Sequence, residues 1–268
     1  MSISWQEAAQ IAAFVGLAAL AARLVLRRHP SGWLVTDVLT ECAILFALYA
    51  LWQLLLDHTV TSTTGAVSHG RWLWRVERSL HLPSERTIQH GILSHGWLVT
   101  FFNQYYRLAH YGGLLIALAW VFSLHRQMYP WCRRMLVLTT AALTVPFQSV
   151  VVAPPRFLPE LGLVDTAQPS ALLAGLRDPG QLTAMPSVHV AWAVLVAVFF
   201  IGVSTSPWRW LALAYPALTM VVVVATGNHF WADGIVGAAV VAVAVLIDRL
   251  ARRRVRVVGP RGVAWEVP

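Results

Sequence analysis

Three short segments in the second half of the chain contain residue types that handle protons and bind phosphate. A Pro-Pro-Arg run ends at Arg156, and a Pro-Ser-x-His run ends at His189. Further along, a His-x-x-x-Asp run extends from His229 to Asp233. Each run alone is a weak signal, because a single histidine at the end of an apolar stretch is usually an interfacial residue. Their joint arrangement is rare by chance, and it predicts a phosphoryl-transfer site.

The residues around these runs favour an anionic ligand. Pro186 suits the first turn of a helix, and Asn228 suits an N-cap. A helix N-terminus has free N–H groups and a partial positive charge, which together attract phosphate oxygens. Arg156 adds a fixed cation that can bind two oxygens at once. The segments therefore predict a phosphate-binding place at helix N-termini.

The two histidines and the aspartate can divide the proton transfers between them. His229 and Asp233 are four residues apart, so on a helix they share a face. The carboxylate then holds one ring nitrogen and leaves the other free as a nucleophile or a base. His189 supplies the second proton-handling group, which protonates the leaving oxygen.

The composition places these segments in a membrane protein. The chain has 268 residues, of which 57% are hydrophobic and 12% are charged, and its mean hydropathy is +0.62. A soluble domain carries about 25% charged residues. We predict an all-α, polytopic membrane helical bundle with about seven transmembrane helices, since seven apolar stretches approach the length that a span needs. They lie at 8–26, 33–56, 107–124, 135–153, 186–203, 209–226 and 231–249.

The formal charge of +8 indicates the orientation in the membrane. All basic residues are arginines, and most lie in short loops beside the spans, which argues against a nucleic-acid partner. With the N-terminus outside, thirteen arginines fall on the cytoplasmic side: Arg23, Arg27, Arg28, Arg126, Arg133, Arg134, Arg209, Arg249, Arg252, Arg253, Arg254, Arg256 and Arg261. We therefore expect a multi-pass protein of the cell (inner) membrane with a cytoplasmic C-terminus. All three segments then lie at the extracytoplasmic ends of their helices.

The chain divides into four predicted regions. They are N-terminal transmembrane helices over 1–56, an outer amphipathic loop over 57–106, a catalytic transmembrane core over 107–250 and a basic cytoplasmic tail over 251–268. In the outer loop, apolar residues at helical spacing predict a short amphipathic helix, lying either on the membrane surface or over the bundle as a cover. These residues are Trp72, Leu73, Val76 and Leu80, and Pro83 and Ser84 follow them as a break that can start a second short helix.

Another cluster of polar residues precedes the third apolar stretch. Asn103, Tyr106 and His110 are three and four residues apart, so on a helix they point to one side. We consider them possible headgroup contacts. Structural packing at the membrane interface is an equally good explanation of the spacing.

The three segments resemble the signatures of a known family. The run from Ala184 to His189 resembles the second signature of the type 2 phosphatidic acid phosphatase superfamily, and the run from Asn228 to Asp233 resembles its third. Ala153-Pro154-Pro155-Arg156 is similar to the shortened first signature of the inositol phosphorylceramide synthase branch. The similarity extends over about residues 100–250.

This resemblance implies a role for each matching residue. His229 would attack phosphorus and form a phosphohistidine, Asp233 would orient it, and His189 would be the general acid. Ser187 and Arg156 would hold the non-bridging oxygens, with help from Asn228. The expected substrate is a membrane lipid phosphate or phosphodiester in the bilayer. No metal or other cofactor is implied, because arginine and helix N-termini supply the positive charge; the oligomeric state stays open.

The chain also departs from the phosphatase branch of that family. That branch has a lysine before the first-signature arginine, whereas this chain has no lysine at all. It also has an arginine six residues before the third-signature histidine, where this chain has Val223. A phosphomonoester dianion needs a stronger cationic clamp than a singly charged phosphodiester. The resemblance is therefore closest to the inositolphosphotransferase branch, and it implies a lipid phosphate phosphatase or an inositolphosphotransferase-like enzyme.

Two other classes of protein are considered. A haem-binding membrane protein would use His189 and His229 as axial ligands, but such ligands normally lie inside a bundle rather than at span ends. A non-catalytic lipid-binding or transport protein of the same fold is the second alternative. Both histidines and Asp233 are present, which argues against lost catalysis.

Overall fold

The computed structural model describes residues 3–59, 65–147, 151–166, 182 and 184–254, and within these ranges the regular secondary structure is helical, without a β-strand. The predicted all-α fold is therefore confirmed. Residues 60–64 and most of the predicted basic tail lie outside the described ranges. The α-helices are α1 (Trp5–Val25), α2 (Gly32–Thr59), α3 (Ala66–Ser79), α4 (Glu85–Leu93), α5 (Gly96–Leu124), α6 (Tyr129–Phe147), α7 (Val188–Val203), α8 (Ala214–Ala225) and α9 (Trp231–Arg254).

Five helical segments of the described chain are long and apolar enough to cross a membrane, so the protein is a membrane protein. Of the other two predicted spans, 186–203 corresponds to α7, which has only 16 residues, and 135–153 corresponds to α6. Arg133 and Arg134 near the start of α6 lower its hydropathy. The five segments are Trp5–Val25, Gly32–Leu55, Gly96–Leu124, Pro207–Ala225 and Trp231–Arg252.

The helix that contains the predicted third span is longer than its apolar stretch. It begins at Gly96 rather than at residue 107, so the last part of the segment predicted as a loop is helical. Asn103, Gln104 and Arg107 interrupt the apolar pattern of this first part of α5. The helix continues through them because residues around them pack: Phe102 is buried with Ile92 of α4.

The first compact unit, ending after residue 61, contains α1 and α2. Ser4 caps α1 and forms a capping box with Glu7, which fixes where the helix starts. The two helices pack on small residues, since Ala8, Ala19 and Ala50 are the buried apolar residues there. Large side chains such as Phe14 point outward, as expected of helices in lipid.

The second unit is a bundle arranged around α7. This helix contacts α5, α6, α8 and α9, and half of its residues are buried. Its contact with α9 is very close, because a Cβ at Gly237 of α9 would lie 2.6 Å from the Ser187 carbonyl oxygen. Only glycine allows the two helices to approach to this distance at that position.

Helices α3 and α4, which we call the cover helices, lie where the sequence predicted a short amphipathic helix and, after a break, a second short helix. Ser84 is the N-cap of α4, so the second helix starts at the predicted break. The buried face of α3 packs over the loops of the bundle, where Leu73 contacts a cluster that includes Leu158 and Phe230. The helix is rotated relative to the predicted apolar face, because Trp72 and Leu80 are exposed and Glu77 is buried.

A second polar cluster lies near the C-terminal end of α9. The buried carboxylate of Asp248 accepts hydrogen bonds from Trp131 Nε1 at 3.0 Å and from Arg134 Nε at 2.8 Å. Arg252 Nε lies 3.0 Å from Oδ2, the oxygen that also accepts from Trp131. This cluster joins α9 to the start of α6.

Candidate active site

The three chemistry-bearing segments meet at the start of α7 and α9. The N–H of Ser187, just before α7, donates to the carbonyl of Asp233 in the first turn of α9 at 2.9 Å. The N–H of Arg156 donates to the carbonyl of Gly227, in the turn between α8 and α9, at 3.0 Å. Backbone hydrogen bonds thus hold residues from distant parts of the sequence at one end of the bundle.

His229 is buried and oriented through its Nδ1 atom. This atom lies 2.8 Å from the carbonyl oxygen of Ala184 and 3.4 Å from Oδ2 of Asp233. Because a carbonyl oxygen can only accept, Nδ1 carries the proton and Nε2 keeps its lone pair. The predicted helical face shared by His229 and Asp233 is wrong, since α9 begins only at Trp231. The turn before the helix brings the ring to the carboxylate instead.

Asp233 is fully buried in the first turn of α9. Its Oδ2 accepts a hydrogen bond from the N–H of Phe230 at 2.8 Å and so closes the start of the helix. Within the described part of the chain, its Oδ1 has no hydrogen-bond partner. The predicted N-cap at Asn228 is therefore wrong, because Asn228 lies three residues before Trp231 and Asp233 satisfies the helix end itself.

His189 is the second residue of α7, and its ring faces that of His229. The two ring centroids are 5.6 Å apart. Ser187 is the N-cap, and its hydroxyl oxygen accepts from the N–H of Val190 at 3.4 Å. Pro186, predicted in the first helical turn, lies before this cap and outside the helix. No described residue accepts a hydrogen bond from the Ser187 hydroxyl.

Two of the three possible headgroup contacts pack against His189. The ring of Tyr106 stacks on it at a centroid distance of 4.2 Å, and the ring of His110 lies at 4.1 Å. Asn103 is placed differently, since its amide exchanges hydrogen bonds of 3.1 and 3.0 Å with Thr166. The first turns of α5 therefore supply both a wall for the histidine and an attachment for the loop over residues 151–166.

Arg156 lies in a 3-10 turn over Pro155–Phe157 and is held on several sides. Its guanidinium stacks over the Phe157 ring at 4.4 Å, donates to Oδ1 of Asn228 and lies 3.4 Å from Oδ2 of Asp165. Burial lowers the pKa of Arg156, whereas Tyr106 and Asp165 act in the opposite direction. An arginine remains charged in such surroundings.

Asn228 acts on Arg156 from the turn that precedes α9. Its Nδ2 donates to Oγ1 of Thr226 at 2.7 Å, which leaves its oxygen directed at the guanidinium. Gly227 beside it has a φ of +68°, and a Cβ there would lie 3.2 Å from Cβ of Arg156. The turn therefore requires glycine for both its conformation and its contact with Arg156.

The two helix N-termini differ in the amides they leave available. At α9, the N–H groups of Phe230 and Ala232 donate to Asp233 and Glu77. At α7, no described residue accepts a hydrogen bond from the N–H of Val188 or His189. The predicted anion site at helix N-termini is therefore available at α7 and occupied by carboxylates at α9.

Several buried polar residues around the site were not predicted from the sequence. Glu77 and Glu85 come from the cover helices, and Gln89 exchanges hydrogen bonds of 2.9 and 2.8 Å with the backbone of Val164. Asp165, beside Arg156, was also missed. The available signal was the presence of Glu77 four residues after Leu73, on the apolar face of an amphipathic helix. In the described ranges, no group of His, Cys, Asp and Glu residues has the arrangement of a metal site.

The fold and the site define an α-helical membrane protein in which two histidine rings are paired at one end of the bundle. The family model of the PAP2 superfamily matches residues 71–247, which is more than half of the chain. The chain therefore belongs to the PAP2 superfamily. No curated protein and no solved structure matches it.

Proposed function

We propose that this protein is a lipid phosphatase or phosphotransferase that works through a phosphohistidine at His229. The observation that carries the proposal is the position of the His229 ring. Its Nδ1 is held by the Ala184 carbonyl at 2.8 Å, and the second histidine ring lies 5.6 Å away, centroid to centroid. Such a ring has a free Nε2 for attack and a second proton-handling group across from it.

The proposed reaction has two displacement steps at phosphorus. In the first, Nε2 of His229 bonds to phosphorus, the bond to the leaving oxygen breaks, and His189 gives its proton to that oxygen. In the second, His189 removes a proton from water or an alcohol, whose oxygen bonds to phosphorus while the bond to Nε2 breaks. Asp233 stabilises the positive ring that forms in between.

The phosphoryl oxygens would be held by groups of the α7 end. The N–H groups of Val188 and His189 and the hydroxyl of Ser187 would donate hydrogen bonds to these oxygens. The guanidinium of Arg156 would supply the positive charge. Because these donors are fixed by backbone contacts, they need little reorganisation when negative charge develops in the transition state.

The substrate is, within this proposal, a singly charged phosphodiester lipid rather than a phosphomonoester. Asp165 lies 3.4 Å from Arg156 and offsets part of its charge, and the chain contains no lysine. A dianionic monoester would meet more repulsion there than a diester. This supports transfer of a phosphorylated headgroup to an alcohol, as in the inositolphosphotransferase branch, with donor lipid and acceptor both held at the membrane surface.

A product assay tests this function. Purified protein in detergent is incubated with phosphatidic acid, a prenyl diphosphate or phosphatidylinositol, with and without an added alcohol, and products are followed by mass spectrometry. We expect His229→Ala to abolish turnover, while His90→Ala, which removes an exposed histidine of α4, keeps it. Release of phosphate alone would identify a phosphatase, and an alcohol-dependent diester would identify a transferase. Equal turnover by His229→Ala and the unaltered protein would contradict the mechanism.

The location follows from the distribution of arginines. We infer a multi-pass protein of the cell (inner) membrane in which helices of 1–56 precede an outer segment over 57–106 and a catalytic core over 107–250, with the basic tail over 251–268 in the cytoplasm. The site then faces the extracytoplasmic side. A reporter that works only in the cytoplasm should be active when fused after Pro268, and an inactive fusion that is present in the membrane would reverse the orientation.

A further inference from the structure

Cover helix α3 brings a buried carboxyl group to the back of the histidine site. Glu77 is completely buried, and its Oε1 accepts a hydrogen bond from the N–H of Ala232 at 2.7 Å. Ala232 lies next to Asp233 and in the same first turn of α9. Asp233 accepts the N–H of Phe230 at the start of α9, whereas the acceptor for Ala232 comes from a helix more than 150 positions earlier in the chain.

The charges that face Glu77 come from three helices. Arg78 on α3 has its guanidinium 4.0 Å from Glu77 Oε2 and 3.4 Å from the carboxylate of the buried Glu85 on α4. From α9, Asp233 acts on Glu77 as a further negative charge. One half-buried arginine thus faces a group of three acids.

We propose that Glu77 is a positioning residue for the His229–Asp233 pair. In its neutral form, Glu77 holds the first turn of α9, and this leaves Asp233 as the acid that carries the charge beside His229. The inference rests on the proposed function of His229. Glu77 touches neither substrate nor the reacting atoms. It acts on Asp233 through the Ala232 amide, the same turn in which Asp233 binds the N–H of Phe230 at 2.8 Å.

The electrostatic surroundings agree with a neutral Glu77. Burial raises the pKa of Glu77 to about 9, and the neighbouring carboxyl groups of Glu85 and Asp233 raise it as well, whereas the Ala232 amide opposes them. Since this pKa lies above the ordinary value of 4.5, the stabilising contribution of the protonated group is complete below pH 4.5. It is lost as the pH rises towards 9, where Glu77 becomes ionised in the folded protein as well.

Two substitutions separate the hydrogen bond from the charge. Glu77→Gln keeps an oxygen for the Ala232 amide and is neutral at every pH, so at neutral pH its kcat should stay within about twofold of the unaltered protein. Glu77→Ala removes the acceptor and leaves a buried amide unpaired. We expect it to lower kcat by about 10- to 100-fold with little change in KM, because the histidine and its acid shift slightly.

The dependence of kcat/KM on pH distinguishes the proposed role of Glu77 from a purely structural one, which would not change it. In the unaltered protein, ionisation of Glu77 adds a negative charge behind Asp233 that repels the anionic substrate, so kcat/KM should fall as the pH passes about 9. In Glu77→Gln this fall should move to higher pH. The control is Glu160→Gln, which removes a partly exposed carboxylate paired with Arg71 away from the histidines, and it should keep the profile of the unaltered protein.

Thermal unfolding between pH 5 and 10 provides a reading that needs no substrate. The unfolding temperature of Glu77→Gln minus that of the unaltered protein should increase with pH up to about 9, because only the latter loses a stabilising proton. A constant difference across this range would overturn the inference even if every lipid is turned over. Inactivity on all lipids with the expected unfolding data would instead count against the proposed function. If Glu77→Ala does not fold, the two Gln variants still decide.

Discussion

Helix α9 carries two buried aspartates whose surroundings differ in kind. Asp248, near its C-terminal end, accepts from Trp131 and Arg134 and pairs with Arg252. Asp233, in its first turn, accepts one backbone amide and faces a histidine, and its Oδ1 has no partner among the described residues. About 22 Å of helix separates them at a rise of 1.5 Å per residue.

The two acids differ in whether their partners can change protonation state. A guanidinium stays protonated at any physiological pH, so the Asp248 cluster has a constant charge and serves to join α9 to α6. An imidazole can gain and lose a proton near neutral pH, so the charge state beside Asp233 can change during a reaction. The same residue type on the same helix therefore supports packing at one end and, in our proposal, proton chemistry at the other.

Neutralising each acid in turn tests most directly whether the two aspartates have different roles. Asp233→Asn removes the charge that stabilises a positive His229 ring, and its amide can also turn an N–H toward that ring. We expect turnover of the lipid substrate to fall by about 10²- to 10⁴-fold. The initial rate of product formation, measured at saturating lipid, checks this.

Asp248→Asn is the matched control on the same helix. It should leave turnover within about threefold, but it removes two ion pairs and should lower the unfolding free energy by about 1–2 kcal/mol. Its unfolding temperature in detergent should therefore drop while its activity persists. Comparable losses of turnover in the two variants would mean that Asp233 has no special chemical role.

The sequence predicted which residues meet at the site better than it predicted their local geometry. Pro-Ser-x-His and His-x-x-x-Asp indicated that His189, His229 and Asp233 would meet, and the structure brings them together. The spacing of four also suggested a shared helical face, which fails because the chain turns at Gly227 and enters α9 only at Trp231. A positive φ at one glycine decides this, and spacing alone does not report it.

The residues that the sequence analysis missed are those that depend on packing between distant segments. Glu77 and Asp165 stand in segments with no recognisable motif, and they reach the site because α3 and the loop over residues 151–166 fold onto it. A polar residue on an apolar helix face indicates burial, but it does not identify the partner. The all-α class was predictable from hydropathy, and α7 begins only two residues after the start of the predicted stretch 186–203, because Ser187 is its N-cap.

A substitution at the close contact of α7 with α9, near the N-terminal end of α9, should have a smaller effect. A Cβ at Gly237 would lie 2.6 Å from the backbone oxygen of Ser187, so Gly237→Ala must push the two helices apart. We expect the unfolding free energy to fall by about 1–3 kcal/mol, as in other overpacked cores. Because Ser187 precedes His189, the same shift should lower turnover by about 10-fold.

Gly112→Ala in α5 separates this effect from the general consequence of replacing glycine in a spanning helix. Nothing lies within 4 Å of a Cβ at Gly112, so alanine there should be neutral or stabilise the helix by about 0.5–1 kcal/mol. Thermal unfolding and turnover are measured for both variants. If Gly237→Ala loses stability but keeps full turnover, the spacing of α7 and α9 matters for packing alone. A loss of both would instead show that the spacing of α7 and α9 sets the distance between His189 and His229, on which turnover depends.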